Sequence, residues 1–283
     1  MQVKIIIGTI SFMLAMMVLG YAAIRETARL ERFTAARSGR QIEAGAHLYN
    51  QNCATCHGVY AKAEECYDAS TGEPIGCVGL PLNYAPLLCG DVSLRMEAMN
   101  WEGTKESFIN ATLTSGRYGT QMPTWSQQFG GPLRDDQIAD ITQYILNYGT
   151  EELCSAPIIT YDWPDTYAEF SEQFPDGDAA VGEELFMTTY GCSGCHGNMA
   201  DEASATVGPW VGNIAEAAGT RVEGMSAEEY VYNSILHPSD YIVEECPTGP
   251  CAGPPSAMPD NFPLRMAENP QDLQDIITYV LGE

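Results

Sequence analysis

Two pentapeptides carry the chemistry of this chain, Cys53-Ala54-Thr55-Cys56-His57 and Cys192-Ser193-Gly194-Cys195-His196. Two thiols at that spacing can each add to one vinyl group of a haem, and the adjoining histidine is then placed to ligate the iron from one face. A single such pentapeptide also fits a zinc half-site or a redox dithiol. Here there are two, and each is followed by a Met-Pro pair, Met122-Pro123 and Met258-Pro259, after 65 and 62 residues respectively. A methionine thioether supplies the second axial ligand opposite a histidine. The sequence therefore predicts two covalently attached haem c groups, with His57, Met122, His196 and Met258 on the irons and Cys53, Cys56, Cys192 and Cys195 as attachment points. With both axial positions filled, no substrate site and no catalytic residue is expected.

Charge and cysteine usage bound where such groups work. Six of the 13 basic residues lie at the N-terminus, and from Gln41 onward 7 basic side chains face 36 acidic ones. That surface repels nucleic acid and steers a basic redox partner towards it; it also serves solubility. Beyond the two motifs, Cys66, Cys77, Cys89, Cys154, Cys246 and Cys251 form an even set, which in a protein matured on the oxidising side of a membrane reads as three disulfides. Spacing ranks Cys246–Cys251 first, across turn formers, then Cys66–Cys77 across the loop from Asp68 to Gly76, leaving Cys89–Cys154. Metal binding by these six is the weaker reading, because they lack nearby histidines.

The elements that position the motifs follow from periodicity. Ile5 to Ile24 is an uncharged run of 20 residues, long enough to span a bilayer as a helix. We expect it to be kept as a single-pass anchor, although Gly20-Tyr21-Ala22 is a passable cleavage site. Five arginines follow it, which by charge alone favours a cytoplasmic bulk, but haem attachment and disulfides place the globular part on the periplasmic side of a bacterial cytoplasmic membrane, and long domains translocate largely regardless of charge. The expected organisation is an anchor and stalk over 1–40, a first unit over 41–150, an acidic, proline-interrupted but aromatic linker over 151–178, and a second unit over 179–283.

The second unit repeats the first. Gly45, Leu48 and Tyr49 precede Cys53 as Gly182, Leu185 and Phe186 precede Cys192, with two extra residues in the second copy. Asn110 to Leu113 matches Asn233 to Leu236, and Asp140 to Leu146 matches Asp275 to Leu281. His47 and His237 are the only histidines outside the motifs; His237 reads more readily as a polar residue at a helix end, and Met266 as a packing residue.

Both units resemble class I cytochrome c domains, and with the anchor they cover nearly the whole chain. The resemblance implies a mainly α fold, an N-terminal transmembrane helix followed by two tandem class I cytochrome c domains. It also implies a proline whose carbonyl orients each proximal imidazole; Pro86 in Ala85-Pro86-Leu87 and Pro209 in Gly208-Pro209-Trp210 match that place. The departures are cysteine-bearing insertions at Tyr60 to Gly90 and Cys246 to Cys251. The layout is similar to dihaem subunits of cbb-type oxidases and some bc-type complexes, and implies one-electron relay between a quinol-oxidising or other membrane complex and a soluble carrier or terminal oxidase. Two other readings are a dihaem cytochrome c peroxidase-like enzyme, disfavoured by a methionine in both repeats, and a haem c acceptor subunit of a dehydrogenase.

Overall fold

A computed structural model describes residues 2–67 and 70–282; Asp68, the start of the loop bridged by Cys66 and Cys77, lies outside the described residues. One helix, Gln2–Asn52, begins the chain and would extend about 77 Å at 1.5 Å per residue. Anchor, stalk and the segment of Gly45, Leu48 and Tyr49 that leads to Cys53 are therefore a single element, with no break at residue 40. Nothing in the sequence stops it: no proline intervenes, and Gly39, with open space around its backbone, is tolerated in a long helix. The apolar stretch is wholly exposed, as a segment meeting lipid or partner helices must be.

In the first unit the end of this helix crosses Asp135–Leu146. Gly45 makes the crossing possible: a Cβ there would stand 2.1 Å from the Asp140 carbonyl oxygen and 2.8 Å from Tyr144 Cβ. One turn on, Tyr49 packs its ring on Tyr144, centroids 5.2 Å apart. The second unit repeats the joint. Ala179–Glu184 crosses Gln271–Leu281, a Cβ on Gly182 would stand 2.0 Å from the Asp275 carbonyl oxygen and 2.8 Å from Tyr279 Cβ, and Phe186 meets Tyr279 at 5.6 Å. The extra residues of the second copy are taken up by a wider π-helical turn, Leu185–Thr189, before the motif.

Each unit has its own core. Leu88, Ile109, Leu113, Ile138, Ile141 and Ile145 close the first, with Lys105–Ser115 as a third wall. The larger second core gathers Phe186, Tyr232, Ile235, Leu273, Ile276 and Ile277 among others, and it includes Phe170. Most of the expected linker thus belongs to the second unit. Tyr167–Gln173 is helical, Phe170 is fully buried, Trp163 donates from its indole to the Pro263 carbonyl, and Tyr232 donates to the Pro164 carbonyl. Its aromatics outweigh its prolines and acids because their burial outweighs the cost of ordering a short segment.

The six cysteines outside the motifs pair as Cys66–Cys77, Cys89–Cys154 and Cys246–Cys251. Two of these bridges hold two-stranded antiparallel ribbons, Cys66–Tyr67 with Pro74–Ile75 and Glu245–Cys246 with Gly249–Pro250. Both insertions face the other unit. Gly76 and Gly191 sit where a Cβ would strike Met187 and Cys77 backbone atoms respectively, and Gly119 abuts Ala252.

Candidate functional site

Each motif forms one short helical turn, Ala54–His57 and Ser193–His196, ended by a glycine with positive φ, Gly58 at 77° and Gly197 at 71°. That geometry turns the imidazole inward. His57 Nδ1 lies 2.7 Å from the Leu80 carbonyl oxygen and His196 Nδ1 lies 2.7 Å from that of Pro209. With the proton on Nδ1, the Nε2 lone pair is free for a metal, a common arrangement for a ligating histidine. The Pro86 assignment is thereby corrected: Leu80, not Pro86, orients His57, and Pro86 lines the cavity instead. The equivalent position is marked by the preceding glycine. A Cβ on Gly79 would stand 2.6 Å from His57 Nδ1, and one on Gly208 would stand 2.8 Å from His196 Nδ1. The Gly79 and Gly208 amides also donate to the Cys56 and Cys195 carbonyls at 2.8 and 3.1 Å. A Gly-x pair after the motif was therefore the readable signal, and the proline in the second copy hid it.

The two methionines are presented identically. Met122 N–H donates to Thr120 Oγ1 and Met258 N–H to Ser256 Oγ, each at 3.1 Å, so a hydroxyl two residues upstream shapes each loop. Cys53, Cys56, His57 and Met122 line one apolar cavity, closed by Phe108, Ile109, Leu113 and Ile145. Cys192, Cys195, His196 and Met258 line a second, closed by Phe186, Ile235, Phe262 and Ile276. His47 and His237 are exposed, and Met266 is buried in the second core.

Electrostatics separate the readings of the thiols. Burial pushes Cys53 and Cys192 up to about 12, the opposite of the depressed values that make a redox dithiol reactive. Among the described residues no three His, Cys, Asp or Glu side chains gather as a candidate metal site. Burial also pulls both imidazoles below the ordinary histidine value, opposed by their carbonyl partners.

The cavities fit a haem in a further respect. Of the 7 basic residues beyond Gln41, Arg95 and Arg117 line the first cavity and Arg221 and Arg265 the second. Arg117 lies over Phe108 and burial pulls it down to about 10; Arg265 stacks on Tyr190 and Phe262 and donates to the Thr189 carbonyl. Tyr84 Oη, Arg95 Nε, Trp125 Nε1 and Asn261 Oδ1, all on residues of the first cavity wall, are buried without a hydrogen-bond partner. Buried polar atoms are nearly always paired. Three of the four are donors, and a macrocycle with two carboxylates supplies the acceptors they lack. These cations escaped the sequence reading, although their scarcity in so acidic a chain was the clue.

The cavities adjoin. Val78, Gly79, Leu80, Cys195, Val207 and Met258 line both. Gln121, next to Met122, donates to the Gly194 carbonyl and to Thr206 Oγ1 in the second unit's motif region.

Comparison with known proteins points the same way. Residues 40–145 match the family model for subunit III of cbb3-type cytochrome c oxidase. A protein of Azospirillum brasilense described as cbb3-type cytochrome c oxidase subunit CcoP is 31% identical over 108 residues, 38% of this chain and 28% of that protein. The match thus spans under a third of the relative's length. No solved structure matches. Over residues 40–145 the first unit is thus similar to a cbb3-type cytochrome c oxidase subunit, and it lies behind one long apolar helix.

Proposed function

We propose that this chain is a single-pass, membrane-anchored dihaem cytochrome c that relays single electrons as a subunit of a respiratory complex, a terminal oxidase of the cbb3 type being the nearest fit. The observation that carries this reading is the wall common to both cavities, which sets two identically built sites against each other. Haem iron, when bound, takes up and gives up one electron at a time.

The chain's own residues do the rest. Cys53, Cys56, Cys192 and Cys195 tether the two groups, and His57 and His196 hold their Nδ1 protons against Leu80 and Pro209. Met122 and Met258, which line the same two cavities, would supply thioether ligands, which favour the ferrous state relative to a second histidine. Apolar walls exclude water, and the four cavity arginines offset carboxylate charge. Residues 41–150 and 179–283, the latter joined by the segment from Trp163 onward, act as two cytochrome c domains. Three disulfides support placement on the periplasmic side. The partners are other subunits of the complex and a redox partner with a basic face.

Haem counting by pyridine haemochrome on the detergent-purified chain, with identification of what co-purifies, tests this reading. Two haems per chain and a co-purifying oxidase are expected. A single haem, or co-purification with a dehydrogenase, overturns it in favour of a haem c acceptor module.

A further inference from the structure

We propose that Arg95, a residue of the first unit, positions the methionine loop of the second, so that one guanidinium tunes both haem sites. The inference rests on the two-haem reading above. It starts from a contact spanning 161 residues of sequence. Arg95 Nη1 donates to the Ser256 carbonyl at 3.3 Å and stands 3.9 Å from Asp260 Oδ2. These partners flank Met258 two residues on either side. Ser256 is itself buried, its amide donates to Ser239 Oγ at 3.1 Å, and its own hydroxyl accepts the Met258 N–H. The guanidinium therefore contacts both ends of the pentapeptide Ser256–Asp260 that presents the second thioether.

Arg95 also belongs to the first cavity. Its Nε is buried without a partner on that cavity's wall, available to an acceptor there. Arg117, another partly buried cation of the same wall, is close enough to Arg95 for the two to repel. Asp260, from the second unit, faces both. Two cations and one carboxylate that are only partly exposed interact more strongly than they would fully solvated. A change at one site is thus felt at the other through named groups. No other cation of the first unit has a hydrogen bond into the second unit's methionine loop among the described residues.

Potentials and ligation bands of the holoprotein test this. Met122→His and Met258→His assign each haem's couple, since each substitution lowers one potential. In Arg95→Gln, the couple assigned to the second haem should shift by roughly tenfold in its reduction equilibrium, about 59 mV for one electron, and its thioether-to-iron far-red band should weaken. Asp260→Asn should also move that couple, and the double variant should be non-additive, as for groups acting through one contact. Arg95→Lys keeps the charge and should recover part of the shift, which a merely disrupted fold would not allow.

A second-haem couple unmoved in Arg95→Gln, or additive effects in the double variant, overturns the inference while leaving the two-haem reading intact. A wild-type count of one haem per chain overturns both. Should Arg95→Gln fail to mature, the Asp260→Asn couple alone decides: unmoved, it refutes the positioning role.

Discussion

Replacing Gly45 by alanine should unfold the first unit more easily, whereas the same change six residues earlier in the same helix should not. A Cβ at position 45 would lie 2.1 Å from the Asp140 carbonyl oxygen, inside the 3.0 Å that real Cβ atoms essentially never breach. The obstacle is backbone in a crossing helix, so no rotamer change relieves it and the helices must part by about 1 Å, taking Tyr49 off Tyr144. Overpacking of this kind costs about 1–3 kcal/mol, and the separation acts on the whole joint, so the upper end applies. Alanine's better helix propensity returns about 1 kcal/mol. A net loss of about 2 kcal/mol lowers the midpoint of a domain near 100 residues by about 8–16 °C. At Gly39 nothing lies within 4 Å, so only the propensity gain remains. Thermal melts of the detergent-solubilised chain by far-UV circular dichroism give the midpoints, and hydrogen exchange over 41–52 and 135–146 locates the weakened joint. A Gly45→Ala midpoint equal to or above wild type, tracking Gly39→Ala, would refute the crossing.

Gly182→Ala should weaken the second unit in the same way, with hydrogen exchange rising over 179–184 and 271–281 and not in the first unit. Gly79→Ala and Gly208→Ala should each drive a methyl into one proximal imidazole, so EPR should show a high-spin fraction from one haem while haem content stays constant; unchanged low-spin signals would contradict the placement. Removing Cys89–Cys154, whose partners are 65 residues apart, should cost about 4 kcal/mol by loop entropy and removing Cys246–Cys251, 5 apart, about 2 kcal/mol; equal midpoints in denaturant titrations of the two double-serine variants would contradict the ordering. Met122→His and Met258→His should each remove half of the far-red thioether band and lower one couple only.

Much of this architecture was legible because covalent chemistry leaves short, spaced signatures. The pentapeptides, the Met-Pro pairs and the repeat of Gly45 and Tyr49 by Gly182 and Phe186 all sit at fixed intervals that survive translation into space. Loop length and turn residues ranked Cys246–Cys251 and Cys66–Cys77, and the observed Cys89–Cys154 pair was what remained. What failed did so for physical reasons. A carbonyl acceptor carries no side-chain signature, so Leu80 was invisible and Pro86 stood in for it; only Gly79, needed for close approach to the imidazole, marked the place. The Gln2–Asn52 helix runs through zones whose compositions differ, and no composition signal foretells that it is unbroken. The segment around Phe170 looked like a tether because prolines and acids dominate it, yet its aromatics found a core. The Arg95 contact joins residues 161 positions apart, and no local pattern foretells it.

The central claim is that two equivalent His/Met sites face each other across one wall and pass electrons without binding substrate. A redox titration of the purified holoprotein, followed optically and by low-temperature EPR with peroxide added at half-reduction, tests it most directly. The account predicts two one-electron couples, two low-spin haems each with a thioether band, and no reaction with peroxide. A single couple, or a high-spin haem that appears on half-reduction and consumes peroxide, would contradict it.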